Sequence, residues 1–358
     1  MGALCGACGV PKTIAKTHAW RDGCIVDKAS GRADLCIYEV FNHNTFVEEM
    51  GKRIGSPLEP VIYNASVHAS KSVIKDMLVP HPLLGKLAFS APFYRLVERL
   101  MCGIFKSIGT GCIDLCEQRK CEYAKAYISD PFNLTQCLAV VAGALQAVDG
   151  TRYTYRIVKE GDVTEVEFFP SSGEAEVEET YERLSGAELT PRESPAAVSF
   201  DSCPKCGVPR EVGEMLSFDL PRGVIEKREG GERVILGGIG SFNAMFRELE
   251  RELGDSVDHI SSVIEKESTK RNLAEAGLAG KAWDEAELRD HLALYGTGML
   301  QEMEQDGDKL ALSMANVYVP SLVAGRLAGI WENWHQEESD YDFSVENNVL
   351  SMTVQPRT

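Results

Sequence analysis

Cys5-Gly-Ala-Cys8-Gly9-Val10-Pro11 and Cys203-Pro-Lys-Cys206-Gly207-Val208-Pro209 spell one motif twice in a single chain. Further echoes follow in the same order and at similar spacing. Cys24-Ile-Val-Asp27-Lys28 is answered by Gly223-Val-Ile-Glu226-Lys227, and Phe46–Gly55 by Phe246–Gly254. Ile108-Gly-Thr-Gly111 returns as Tyr295-Gly-Thr-Gly298, each followed by a Glu-Gln pair, Glu117-Gln118 and Glu304-Gln305. Ala142-Gly-Ala-Leu145 returns as Ala328-Gly-Ile-Trp331. Ordered echoes at a nearly constant offset are the mark of internal duplication. Between the copies, Ser171 to Ala196 concentrates Glu174, Glu176, Glu178, Glu179, Glu182 and two prolines. That composition reads as a solvated acidic linker, with a short surface helix over Glu174–Leu184. The chain therefore divides into 1–170, a linker over 171–198, and 199–358.

Each half shows the same order of elements. A strand or hairpin is expected around Cys24–Tyr38 and Gly223–Leu236. An amphipathic helix follows at Asn44–Ile54 and Asn243–Leu253, where Phe46, Met50 and Ile54 fall on one face. Helices over Ser66–Leu78 and Ser256–Ala276, then Tyr94–Ile108 and Trp283–Tyr295, lead to Gly-Thr-Gly, a helix stop. Two strands, a helix (Leu134–Val148, Pro320–Trp334) and a closing strand pair complete the half. Gly237-Gly-Ile-Gly240 reads as a loop into the helix at Asn243. The expected class is α+β: two similar halves, each of helices packed on an antiparallel sheet, related by a pseudo-twofold axis.

Composition excludes several functions. The chain has 358 residues and a net charge of −17. It has no Lys/Arg cluster to form a basic face, which argues against nucleic acid and against an anionic membrane surface. No apolar run reaches the ~18–20 residues of a membrane span. The N-terminus lacks the features of a signal peptide, so a cytoplasmic location is expected. In that setting eleven cysteines imply reduced thiols or metal ligation rather than a disulfide framework.

The Cys-x-x-Cys-Gly spacing lets two sulfurs point at one ion while the glycine turns backbone amides toward them. One such knuckle gives two ligands and a tetrahedral ion needs four. Cys5, Cys8, Cys203 and Cys206 are thus the candidate metal ligands, around one ion on the pseudo-twofold axis. Zinc is the expected ion; a single iron or an iron–sulfur cluster takes the same donors. Pro11 and Pro209 argue against thioredoxin-like exchange, which needs a helix continuing through those positions. His18 and His43 are potential supplementary ligands, although a satisfied histidine is the commoner outcome. Cys112, Cys116 and Cys121, with Cys102 and Cys137 nearby, form a second thiol-rich stretch that reads first as core filling. No phosphate loop, nucleophile elbow or dinucleotide fingerprint occurs, and no catalytic residue is assigned.

The later part of each half resembles the 4-vinyl-reductase-type family of hydrocarbon- and aromatic-binding domains. The residues that carry the resemblance are Gly109-Thr-Gly111, the hairpin Ile113–Ile128, Pro131-Phe132, Cys137–Leu145 and the ending Gly161-Asp162…Val166-Glu167-Phe168. Related sensors place a zinc-binding cysteine near that ending; Gly161–Glu165 and Glu346–Val349 have none. The resemblance implies a pocket between helices and a curved sheet, with His68, Tyr127, Phe132, Tyr318 and Trp331 on the elements that line it. Three functions are in play. One is a sensor or carrier of a small hydrophobic molecule with a four-cysteine metal site, which leaves room for a protein partner or a homodimer. The second is a metal-dependent reductase of a hydrophobic or tetrapyrrole-like ligand, and the third a protein-assembly module.

Overall fold

The structure is a computed structural model that describes residues 3–78, 91–171, 188–194, 198–254 and 256–357. The expected surface helix Glu174–Leu184 lies outside the described residues. The architecture is α+β with antiparallel sheets, as expected. Two compact units form. One comprises Met1–Ala3, Glu59–Ala187 and Phe218–Ile225; the other comprises Leu4–Leu58, Glu188–Ser217 and Glu226–Thr358. Compactness therefore does not follow the consecutive halves 1–170 and 199–358.

The reason lies in the knuckle-bearing segments. Each runs from its Cys-x-x-Cys turn into a six-residue helix, Lys12–Thr17 or Arg210–Met215. Three strands follow each helix: β1 (His18–Arg21), β2 (Cys24–Asp27) and β3 (Ala33–Glu39) in the first, and β8 (Leu216–Asp219), β9 (Val224–Lys227) and β10 (Arg233–Gly238) in the second. Strands β3 and β10 pair antiparallel, with Ile37 opposite Leu236 and Glu39 opposite Val234, within a sheet of order β1-β2-β3-β10-β9-β8. Where a strand or hairpin is expected around Cys24–Tyr38 and Gly223–Leu236, three strands form in each segment. The helices after β3 and β10 start at once, at Val40 and Ile239, from residues with extended backbone. The expected glycine loop is thus strand end and helix start. Gly237 is needed because a Cβ there would lie 2.5 Å from the Phe242 ring.

In the first unit, helix Glu59–Leu78 packs on helix Leu134–Asp149. A Cβ on Gly143 would sit 2.5 Å from the Val67 carbonyl, so the two backbones approach closely. Strands β4 (Cys112–Arg119), β5 (Tyr123–Ser129), β6 (Tyr153–Lys159) and β7 (Val163–Pro170) form a sheet of order β4-β5-β7-β6. Ala124, Ala126, Ile128, Val166 and Phe168 supply its buried face, the period-two alternation of a half-buried sheet. In the second unit, helix Ser256–Glu275 packs on helix Pro320–His335. A Cβ on Gly325 would be 2.2 Å from the Ser262 carbonyl and one on Gly329 2.6 Å from that of Lys266. Strands β11 (Met299–Asp306), β12 (Lys309–Ala315), β13 (Ser339–Glu346) and β14 (Val349–Pro356) take the order β11-β12-β14-β13. Asn347 and Asn348, both at positive φ, turn the last hairpin.

Gly-Thr-Gly does more than stop a helix. The Gly298 N–H donates to the Gly23 carbonyl at 3.0 Å, and the Gly111 N–H donates to the Gly223 carbonyl at 2.9 Å. Each hairpin tip thus meets the Gly-Thr-Gly of the other half of the sequence. Side chains are excluded there: a Cβ on Gly23 would lie 2.3 Å from the Gly298 carbonyl carbon, and one on Gly223 2.3 Å from the Gly111 oxygen. The stretch read as a free acidic linker is also anchored at its end. Ala33 N–H donates to Leu189 O (2.9 Å), Arg192 N–H to Asn316 Oδ1 (2.9 Å) and Ser194 N–H to Asp22 Oδ1 (3.1 Å). Among the described residues no helix is long and apolar enough to cross a membrane.

Candidate metal centre

Both knuckles fold alike for a reason visible in their sequences. The Cys5 N–H donates to Val10 O and the Gly9 N–H to Cys5 O, each at 2.8 Å. Cys203 with Val208 and Gly207 with Cys203 repeat the pair at 2.8 and 2.9 Å. Gly9 and Gly207 both take φ 76°, a left-handed conformation that favours glycine. The amides of Ala7 and Cys8 turn onto the Cys5 sulfur, and these bonds lower its thiol to about 6. The amides of Lys205 and Cys206 do the same for Cys203, whose thiol is also lowered. Burial instead raises the Cys8 thiol and pushes that of Cys206 to about 12.

The two knuckles meet. Cys5 Sγ lies 3.9 Å from Cys203 Sγ, Cys8 Sγ lies 3.5 Å from Cys206 Sγ, and all four sulfurs fall within 4.8 Å of one another. A tetrahedral ion with metal–sulfur bonds of about 2.3 Å holds its thiolates about 3.8 Å apart. The four thiols therefore fit one ion. They are too close together for a cluster, whose thiolates bind different metal atoms. Cys5 and Cys203 are buried, while Cys8 and Cys206 are partly exposed.

The other candidates are elsewhere. His18 is held by Asp34 (2.8 Å) and Thr17 (2.8 Å), and His43 packs edge-on against Tyr38 and Phe242. Cys112, Cys116 and Cys121 do not converge with other donors among the described residues. Cys116 sits exposed at the β4 bulge facing the Lys125 carbonyl, and Cys121 at positive φ in the hairpin turn.

The five residues named for a pocket divide between the two units. His68, Tyr127 and Phe132 belong to one unit, Tyr318 and Trp331 to the other. His68 is part-buried on its helix and Phe132 is buried just past β5. Tyr127 points away from the buried face of β5, with the Lys125 ammonium 5.5 Å from its ring. An apolar cleft of about 50 Å³ does open in the first unit, between Ile74, Met101, Phe105, Ile113, Leu115 and Leu145. In the sequence echo Trp331 stands where the first copy has Leu145. The indole is buried against His335, at 4.3 Å between ring centres, as core filling.

A buried charge cluster in the second unit escaped the sequence reading. Arg326 donates to Glu39 (2.8 Å) and Glu265 (3.0 and 3.2 Å), Lys227 donates to Glu39 (2.9 Å) and Glu232 (2.6 Å), and Tyr38 OH donates to Glu265 (2.6 Å). Tyr318 lies beside this group, 5.8 Å from Phe242, its hydroxyl against Cys36. The available signal was Arg326 and Glu332 inside an otherwise apolar helix; Glu332 is itself buried, bonded to Lys266 and Ser339.

Burial works to raise the Glu39 carboxyl, but Lys227 and Arg326 prevail and hold it at about 2. Burial lowers the His291 imidazole to about 3, with Arg326 and Lys227 adding to the effect. Both folded values lie below the ordinary 6.5 and 4.5. At these two groups the unfolded chain binds protons that the folded chain refuses, so their contribution to stability falls with falling pH. His291 contributes from pH 6.5 down to about 3, and Glu39 from 4.5 down to about 2. The contribution of His291 to the unfolding free energy in urea is expected to fall below pH 6.5 and that of Glu39 below 4.5, each by up to about 1 kcal/mol per pH unit, while the raised carboxyls of Glu265 and Glu232 act in the opposite sense. His291→Gln should flatten the upper part of that decline; equal slopes for wild type and variant between about pH 6.5 and 5 would refute the assignment.

The sequence matches no family model and no curated protein. Among solved structures, partial overlaps occur with H-NOX proteins. A structure from work on heme distortion in the H-NOX family is 11% identical, covering 33% of this chain and 71% of that one, with a TM-score of 0.25. One from work on H-NOX activation is 10% identical (33% and 72%, TM-score 0.24). A Cs H-NOX mutant with 4-cyano-L-phenylalanine at site 5 is 9% identical (35% and 78%, TM-score 0.25). Overlaps this slight support no statement about fold or function.

Proposed function

We propose that this chain is a binding protein for a small hydrophobic molecule, stapled by one zinc ion on Cys5, Cys8, Cys203 and Cys206. The observation that carries the proposal is the convergence of four sulfurs, two from each knuckle, at the spacing of one tetrahedral ion. Zinc suits four thiolates in a closed structural site. A single iron on the same donors would serve the reductase reading and would be coloured in its ferric state. We infer also that the halves arose by duplication and descend from a 4-vinyl-reductase-type ancestor. The equal strand orders of the two four-stranded sheets, the pairing of β3 with β10 and the reciprocal glycine contacts support duplication.

The ligand site we assign is the apolar cleft of the first unit. Its volume of about 50 Å³ is below the ~300–1,000 Å³ of typical ligand pockets. It therefore suits a compact apolar molecule, and anything larger must displace its walls.

The test is metal analysis and an absorption spectrum of the full chain, with Cys5→Ser and Cys203→Ser. About one zinc per chain, no visible absorption and equal loss in both variants are expected. Visible absorption transfers the site to iron, and unequal loss means two separate sites. Toluene and similar compounds should raise the melting temperature of the wild type but not of Ala144→Leu, which fills the cleft, since Ala144 is one of its lining residues. No shift across such a panel rejects the ligand site while leaving the metal site standing.

A further inference from the structure

We propose that the outer sulfur pair, Cys8 with Cys206, is an oxidation site: a hydroperoxide joins the two as a disulfide and expels the metal, while the chain stays linked at the same place. The proposal rests on the metal reading above. Its grounds are an asymmetry within the four cysteines. Cys5 and Cys203 are 4% and 3% exposed, whereas Cys8 and Cys206 are open to solvent in part. Each inner sulfur is gripped by two backbone amides of its own knuckle, each outer sulfur by one, that of Val10 or Val208. The outer sulfurs stand 3.5 Å apart against 3.9 Å for the inner pair. A disulfide bond is about 2.05 Å long, so each outer sulfur needs to move by less than about 1 Å.

The chemistry balances. The thiolate of one outer cysteine attacks the peroxide; an S–O bond forms, the O–O bond breaks and the departing oxygen takes a solvent proton. The product is a sulfenic acid. The second outer thiolate attacks that sulfur; the S–S bond forms, the S–O bond breaks and hydroxide leaves, taking a second proton. Two thiolates have lost two electrons and hydrogen peroxide has become two waters. A zinc ion left with two thiolates has lost half its donors and dissociates, unchanged in oxidation state.

The link falls between residues 198 apart, one from each knuckle. A bond within a knuckle, between Cys5 and Cys8 or Cys203 and Cys206, would instead leave the two knuckles without a link through their sulfurs once the ion is gone, with only the β3–β10 pairing and the packing around it to join the segments. Oxidation at the outer pair thus exchanges one staple for another.

The experiment treats the purified full chain with hydrogen peroxide, follows metal release with a chromogenic chelator and maps disulfides on non-reduced peptides. The exposed thiols Cys116 and Cys121 gauge the dose within the same sample. One metal released per disulfide is expected, with peptides containing Cys8 and Cys206 joined. Cys5 and Cys203 should be alkylated only after unfolding. Metal retained at a dose that oxidises Cys116 and Cys121, or disulfides within a knuckle, overturns the proposal. A chain that purifies without metal refutes the zinc reading instead; the same mapping on that reduced chain still decides, the Cys8–Cys206 link supporting the outer pair and any other link rejecting it.

Discussion

Arg326→Ala is expected to destabilise the chain by about 3–5 kcal/mol, the usual cost of removing one partner from a buried ion cluster. The guanidinium is 5% exposed and bridges Glu39 and Glu265, which are 6% and 1% exposed. Without it, two carboxylates face each other across a space that water does not reach. Burial already raises the Glu265 carboxyl, with Arg326 the main opposing influence. Arg326→Lys should recover only part of the loss, because a single ammonium cannot span both carboxylates in the guanidinium's planar geometry. Glu265→Gln placed on top of Arg326→Ala should cost less than it does in the wild type, a coupling that a double-mutant cycle measures. Equilibrium urea unfolding of the four proteins checks this; a loss below about 1 kcal/mol for Arg326→Ala would mean the cluster contributes little.

The second large effect concerns the metal indirectly. Gly213 lies in the short helix behind the first knuckle, and a Cβ there would be 2.1 Å from the Cys8 carbonyl oxygen and 3.0 Å from the Cys8 Cβ. The helix cannot easily retreat, since its Gly213 carbonyl accepts a bond from Arg228 Nε at 3.0 Å. The knuckle must move instead, carrying the Cys8 sulfur off its position. Gly213→Ala is therefore expected to lose about 1–3 kcal/mol by overpacking and to weaken metal binding about tenfold or more. Gly207→Ala is the contrast. It has no neighbour within 4 Å but takes φ 76°, so it should cost about 1–2 kcal/mol of backbone strain and keep its metal. Competition with a chelator of known affinity separates the two. Equal metal affinity in both variants would show that Cys8 is not held by this contact.

Local patterns carried most of what the sequence could tell. Helix stops, apolar faces and the alternation along the closing strand pairs, β6 with β7 and β13 with β14, depend on neighbours a few residues away, so the elements of both four-stranded sheets were legible, with ends displaced by a few residues. The convergence of Cys5 and Cys8 with Cys203 and Cys206 was also legible, because a half-set of metal donors on each copy asks for its complement. What was not legible depends on long-range pairing. The pairing of β3 with β10 draws Leu4–Leu58 into the later unit, and nothing local announces it. Tyr127 stands on an element that the resemblance places at a pocket, and the phase of β5 turns its ring away from the buried face. Trp331 is buried and stacks on His335, a position that sequence alone does not fix. Charged residues inside an apolar helix, Arg326 and Glu332, were the one overlooked signal with a plain physical meaning: a charge there must have a partner.

The distance along the chain between the two knuckles bears on how the protein is made. At a translation rate of about 5–20 residues per second, the ribosome needs on the order of ten to forty seconds to travel from Cys8 to Cys206. Throughout that interval the first pair of thiols has no complement, and β3, paired with β2 on one edge, has no β10 on the other. The emerging polypeptide must therefore keep its leading segment from reacting or associating wrongly until the second knuckle appears, which makes early synthesis the most vulnerable period in the life of this molecule.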